Sequence, residues 1–113
     1  MLESHYTEVI AMDANEKMFM CDKATVLNVI YDALEAVSFV IDKSNSFRGT
    51  LIVSSVEFPQ LGGRIAVSPD TTENKTHVEV FPNSNDEQQK EWIAAFFDEM
   101  QSLIERAGME ASK

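Results

Sequence analysis

The fold of this chain follows from residues 84–107, which read SNDEQQKEWIAAFFDEMQSLIERA. Their apolar side chains recur at helical spacing and, at about 100° per residue, fall within an arc of roughly 140°. The stripe consists of Trp92, Ile93, Phe96, Phe97, Met100, Leu103, Ile104 and Ala107. This periodicity predicts a long amphipathic helix that packs on a hydrophobic core.

Both ends of this segment carry signals of a helix boundary. Ser84 and Glu87 match a capping box, in which the hydroxyl and the carboxylate accept hydrogen bonds from backbone amides at the helix start. Asp86 and Glu87 also suit the positive end of the helix dipole. Gly108 is placed to end the helix, because glycine commonly follows the last helical turn.

A second helix is predicted over residues 23–37, with Asp22 as its N-cap. Its apolar positions span a wider arc of about 200°, which indicates that other parts of the protein cover this helix on more than one side. Those positions are Val26, Leu27, Val29, Ile30, Tyr31, Ala33, Leu34 and Val37.

The segment between the helices alternates in the manner of strands separated by turns. The predicted strands are 39–42, 47–56, 64–68 and 76–81, with turns at 43–46, at Pro59 with Gly62-Gly63, and at 69–74. Because these connections are short, neighbouring strands should pair antiparallel. Upstream, residues 8–12 and 17–21 favour a hairpin around 13–16, although their methionines suit a helix as well.

These elements predict one α+β domain spanning residues 1–113. The expected architecture is an antiparallel sheet of four to six strands with two helices packed on one face, in the order β-α-β-β-β-β-α. The length of 113 residues is that of a single domain, and it suffices for a core without a disulfide or metal. A composition of 44% hydrophobic and 25% charged residues is typical of globular proteins.

The formal net charge of −10 limits the kinds of partner. It repels phosphate backbones and anionic lipids, and no basic patch offsets it, so neither a nucleic acid nor a membrane is expected as a partner. The same acidity favours solubility. Cys21 is the only cysteine, no secretory signal is evident at the N-terminus, and no apolar run reaches the roughly 18 residues of a membrane span. We therefore expect a cytoplasmic location.

His77 is the first candidate for chemistry. It shares a strand face with Glu79, so the pair can act as a general base or as metal ligands, with Arg64 as a further polar member of a cleft. The alternative is an ordinary polar-face residue, which we favour because no second histidine or cysteine stands at ligand spacing and His5 lies near the terminus.

Cys21 and two acidic loops are the other candidates. A helix dipole can lower the pKa of a thiol such as Cys21, but Asp22 opposes a thiolate, and an inert buried thiol is expected. Paired carboxylates can hold Mg²⁺ or Ca²⁺, yet the loop spacing matches no calcium-binding loop, so a solvated surface is expected. The carboxylates in question are Asp70, Glu73, Asp86 and Glu87. We predict no catalytic residue, metal or cofactor.

The leading functional hypothesis is a non-catalytic binding or protein-interaction module that binds a protein partner or self-associates as a homodimer. It rests on the absence of a catalytic motif and on four apolar strand residues that the pattern does not assign to the helix-covered face, so we expect part of the other sheet face to be apolar. They are Ile52, Val56, Val78 and Val80. Met12, Met18 and Met20 can contribute to such an apolar interface or fill gaps in the core.

Three further functions stay open at this point. The alternative is a small-molecule binder with an apolar pocket between sheet and helices. That pocket would be lined by Met20, Tyr31, Phe39, Phe47 and Trp92. An acidic inhibitor of a basic protein is motivated by charge alone. An enzyme is the least favoured reading, and it would need convergent polar groups around His77.

Overall fold

The computed structural model describes residues 15–70 and 72–111, with side chains up to Ala107. The chain alternates strands and helices in the predicted order β-α-β-β-β-β-α, which confirms the α+β class. The elements are β1 (Glu16–Phe19), α1 (Lys23–Ala36), β2 (Phe39–Asn45), β3 (Thr50–Ser55), β4 (Gly62–Asp70), β5 (Lys75–Pro82) and α2 (Glu87–Ala111).

The five strands form one antiparallel sheet in the order β1-β5-β4-β3-β2. Alternate strand residues point to opposite faces, and the helices cover one of these faces. Buried strand residues on the covered face are Leu51, Val53, Ile65, Val67, Val78 and Val80. They pack with helix residues that include Val26, Ile30, Leu34, Ile93, Phe96 and Met100. No element of the described residues 15–70 and 72–111 covers the opposite face, on which Ile52 and Phe81 are exposed, and we call it the open face.

The helix α1 begins as predicted and ends one residue early. Asp22 is its N-cap, and the carboxylate accepts a hydrogen bond from the backbone amide of Thr25 at 3.2 Å. Val37 is the C-cap, and Ser38 follows with a φ of 63°, a left-handed conformation that turns the chain into β2.

Both predicted boundaries of α2 are wrong. The helix begins at Glu87 rather than residue 84, and Ser84 forms no capping box, because its hydroxyl donates to the Asp86 carboxylate at 3.2 Å and accepts from the Gln89 amide. The helix continues through Gly108 to Ala111. Glycine tolerates helical as well as left-handed backbone angles, so it need not end a helix.

The strands β2, β4 and β5 are longer than the turn residues suggested, whereas β3 is shorter than the predicted 47–56. The predicted turn at 43–46 is wrong, since β2 extends to Asn45 and the chain reverses over 46–49, where Gly49 has a φ of 74°. Gly62 and Gly63 lie inside β4, where added Cβ atoms would overlap the carbonyl oxygens of Val53 and Phe81. These glycines therefore permit close strand approach rather than a turn.

The N-terminal hairpin is only partly within the described residues. The strand β1 occupies 16–19 rather than 17–21, and it pairs with β5 at the edge of the sheet. Residues 8–12, its predicted partner, lie outside the described part of the chain. Of the two helices, neither is both long and apolar enough to cross a bilayer within the residues that the structure describes.

Candidate functional site

The open face of the sheet carries a transverse row of four side chains. The antiparallel register places Phe81 beside Arg64, Arg64 beside Ile52, and Ile52 beside Lys43. We name these four residues the Arg64 row. The Arg64 guanidinium lies 4.5 Å from the centroid of the Phe81 ring, a cation–π contact. Phe81 and Ile52 are 39% and 40% exposed, so apolar surface and positive charge alternate across the sheet.

A second group occupies the same face at its β1–β5 end. Glu16 lies directly opposite Glu79 in the strand register, and His77 stands two residues before Glu79 on the same side of β5. His77 Nε2 lies 2.7 Å from Glu16 Oε1. One ligand atom from each of the three residues falls within 4.8 Å of the others. We name Glu16, His77 and Glu79 the Glu–His–Glu cluster.

The cluster contains two like charges in an unfavourable position. Carboxylates directly opposite each other on antiparallel strands repel, and here both are half-buried, which weakens screening by solvent and salt. The imidazole of His77 is their polar neighbour on this face. A metal cation bound by the group would reduce this repulsion.

The sequence predicted His77 and Glu79 as a pair but missed Glu16. The structure brings His77 and Glu79 together on one face, as their spacing of two on a strand implies. Arg64 was expected beside them but contacts the Phe81 ring in the Arg64 row. Glu16 falls within the turn that the sequence predicts over 13–16. The sequence gives little sign of a strand here, because β1 has four residues and only Phe19 among them is buried.

Cys21 is partly buried just before α1. Burial raises the pKa of its thiol, and the negative charge of Asp22 raises it further. Both effects oppose the helix dipole and keep the sulfur protonated at neutral pH. The backbone carbonyl of Cys21 accepts a hydrogen bond from the Thr76 hydroxyl at 2.8 Å, so this residue ties the start of α1 to β5.

The loop carboxylates each have their own local partners. Asp70 accepts hydrogen bonds from the hydroxyl and backbone amide of Thr72, and these bonds lower its pKa. Glu73 lies 2.6 Å from Lys75, and Glu87 lies 3.9 Å from Lys90. Asp86 accepts from the hydroxyl of Ser84. These contacts are those of a solvated surface.

The five residues predicted for an apolar pocket do not line one cavity. Phe39 and Trp92 are buried and stack with ring centroids 4.5 Å apart, so they fill the space between the layers. Met20, Tyr31 and Phe47 are 70%, 45% and 98% exposed. Of the three methionines near the N-terminus, Met18 and Met20 are exposed, and Met12 lies outside the described residues.

Sequence reasoning also missed a buried polar contact that fixes α2. Gln89 is 1% exposed, and its side-chain oxygen accepts from the Gly62 amide at 3.2 Å and from Trp92 Nε1 at 2.5 Å. Its amide nitrogen lies 3.5 Å from the Gln60 carbonyl oxygen and 3.3 Å from the Ser84 hydroxyl. A cleft of about 350 Å³ opens beside it at the start of α2.

No protein-family model matches this sequence, and no match is found among curated proteins. The open sheet face, with its Arg64 row and its Glu–His–Glu cluster, is therefore the feature from which a function has to be argued.

Proposed function

We propose that this protein is a non-catalytic interaction module that self-associates through the open face of its sheet. The observation that carries the proposal is the Arg64 row, in which exposed aromatic and aliphatic side chains alternate with cations on rigid strands. Arginine and aromatic residues dominate the binding energy of protein interfaces, and lysine is comparatively rare at their centres. Arg64 on Phe81 is thus the expected centre of the contact.

The charge distribution favours a second copy on this face rather than on the helices. The α2 sequence contains six acidic and two basic residues, so the helical side of one chain repels that of another. The open face instead carries Lys43 and Arg64 together with Glu16 and Glu79. Two chains of net charge −10 therefore approach most easily through their sheets.

The strand order makes the face self-complementary. The central strand is β4, Lys43 lies toward one edge on β2, and the carboxylates of the Glu–His–Glu cluster lie toward the other edge. A two-fold axis along β4 brings Lys43 of each copy toward the carboxylates of the other. Such an isologous contact pairs the same surface twice, with stacked sheets about 10 Å apart.

The exposed edge of β2 is a weaker candidate for the contact. Its pairing with β3 shifts between Ile41 and Lys43, and the Asp42 carboxylate at this irregularity accepts a hydrogen bond from the Ser54 hydroxyl at 2.8 Å. A bulge and an edge lysine both disfavour the addition of another strand. Association through the face avoids these obstacles.

The small-molecule alternative has less support. An apolar ligand between sheet and helices would need the space that Phe39 and Trp92 occupy with their stacked rings. The non-catalytic part of the proposal is supported by Cys21, whose raised thiol pKa makes it a poor nucleophile.

Sedimentation equilibrium on the purified chain tests the proposal. We expect about twice the chain mass of 12.7 kDa for the wild type and the monomer mass for Ile52→Glu, which places a charge in the Arg64 row. The matched control is Tyr31→Glu, because Tyr31 is similarly exposed but lies on α1. A monomeric wild type, or a dimer that survives Ile52→Glu and dissociates in Tyr31→Glu, contradicts it.

A further inference from the structure

We propose that Glu16, His77 and Glu79 bind a divalent transition-metal ion at the β1–β5 end of the open face. Their ligand atoms lie within 4.8 Å of one another. Two ligands at about 2.1 Å from one ion are at most about 4.2 Å apart, so side-chain adjustments of less than 1 Å close the site. The site belongs to a single chain, although the proposed self-association would bring Lys43 of a second copy toward the same carboxylates.

The backbone holds the three ligands in place before any ion binds. Glu16 and Glu79 are cross-strand partners, and His77 projects from the same face of β5 two residues away. Ligands on paired strands vary less in position than ligands on loops, so the ion meets a preformed set. Three protein ligands also leave coordination positions open for water.

The charges of the cluster independently favour the binding of a cation. Glu16 and Glu79 repel across the strand pair, and His77 Nε2 contacts only one of them at hydrogen-bond distance, Glu16 Oε1 at 2.7 Å. A divalent ion offsets both carboxylates at once. The net charge of −10 further raises the local concentration of cations.

The surroundings of the cluster admit a hydrated ion. A surface hollow of about 340 Å³ is lined by Glu16, Lys17, Met18 and His77. The side chains of Glu16 and His77 are 26% and 29% exposed, so they are reachable but partly withdrawn from solvent. Lys17 is the cationic group at this hollow, and its flexible ammonium can turn to solvent when a metal ion enters.

The ligand set selects the class of metal. One imidazole nitrogen and two carboxylates suit Zn²⁺, Mn²⁺, Co²⁺ or Ni²⁺, whereas Mg²⁺ and Ca²⁺ prefer sites made of oxygen alone. Coordination requires the lone pair of His77 Nε2, so the ion replaces the present contact with Glu16 Oε1.

Isothermal titration calorimetry with ZnCl₂ on the untagged full chain tests the site, with MgCl₂ as the reference salt. We expect one equivalent of Zn²⁺ to bind and at least tenfold weaker binding in both His77→Gln and Glu79→Gln. The matched control Glu35→Gln removes an exposed carboxylate from α1 and should bind as the wild type does. The variant Ile52→Glu should also bind Zn²⁺, which separates this site from the self-association surface.

Paramagnetic broadening by CoCl₂ in the wild-type chain locates the ion without any substitution, so a poorly folded variant does not obscure the result. Amide resonances of Glu16, His77 and Glu79 should broaden first. The proposal is overturned if no saturable Zn²⁺ binding occurs, if both ligand variants bind as the wild type does, or if Co²⁺ broadens another region of the chain first.

Discussion

The side-chain oxygen of Gln89 accepts the backbone amide hydrogen of Gly62 at 3.2 Å, across 27 residues of sequence. This bond fastens the first turn of α2 to the first residue of β4. The same oxygen accepts from Trp92, whose indole stacks on Phe39. One buried side-chain amide therefore links the start of α2 to β4 and to the Trp92–Phe39 pair.

Replacement of Gln89 should destabilise the fold more than replacement of its neighbour. In Gln89→Ala the Gly62 amide and the Trp92 indole lose a buried acceptor, and each such loss costs about 1–3 kcal/mol. We expect a decrease of about 3 kcal/mol in the free energy of unfolding, measured by urea denaturation. Gln88→Ala is the control, since Gln88 is exposed, and equal effects of the two substitutions would refute this role.

Acidification should weaken the cap of α1. Hydrogen bonds from the Thr25 hydroxyl and backbone amide hold the pKa of Asp22 below its ordinary value of 3.8. The stabilisation by this carboxylate is therefore complete above pH 3.8 and disappears as the pH falls through the lower pKa of the folded state. Asp22→Asn keeps a capping oxygen but cannot titrate.

We thus expect the wild type to lose more unfolding free energy than Asp22→Asn between neutral pH and pH 3. Urea denaturation at a series of pH values measures the difference. Glu105→Gln serves as a control that leaves the cap intact. Parallel pH profiles for the wild type and Asp22→Asn would show that the capping carboxylate contributes nothing to acid sensitivity.

Cys21 should alkylate with an unusually alkaline pH profile. Burial and the charge of Asp22 raise the pKa of its thiol above 9.0, so the reactive thiolate is scarce at neutral pH. The rate of reaction with iodoacetamide should reach its midpoint above pH 9.0 in the folded chain. Asp22→Asn should lower that midpoint, because it removes a negative neighbour. An unchanged midpoint in this variant would show that the charge of Asp22 does not raise the pKa of the Cys21 thiol.

Charge reversal in the Arg64 row should abolish self-association. In Arg64→Glu the cation–π contact with Phe81 is lost and a carboxylate joins those of Glu16 and Glu79 on the same face. We expect the dissociation constant from sedimentation to rise at least tenfold. The control is Arg48→Glu, in the exposed turn before β3. It has the same change of charge and should leave the dissociation constant unchanged. Equal weakening by both variants would indicate a net-charge effect instead.

The sequence predicted the elements and their order because periodicity and the Asp22 cap are local properties. It failed where tertiary contacts override local preference. Gly62 suggested a turn but is required inside β4 by the nearby carbonyl of Val53. Gly108 suggested a helix end, yet α2 continues past it.

For the same reason, the sequence predicted only part of the candidate site. His77 and Glu79 share a strand, so their proximity follows from a spacing of two. Glu16 joins them through pairing of β1 with β5, and a four-residue strand with one buried side chain gives almost no signal. Gln89 was detectable in principle, since it stands three and four residues before Trp92 and Ile93 on the buried stripe of α2.

The pairing of β1 with β5 has a consequence for synthesis on the ribosome. Glu16 and His77 are separated by 61 positions, and β1 finds its neighbour only after β5 has been translated. Among the described strands, β1 is translated first and pairs last. Its contact with β5 has a high sequence separation, and such contacts form slowly. A chain that stops before His77 lacks two of the three ligands, so metal binding would report that translation has passed Glu79 and that β1 has paired with β5.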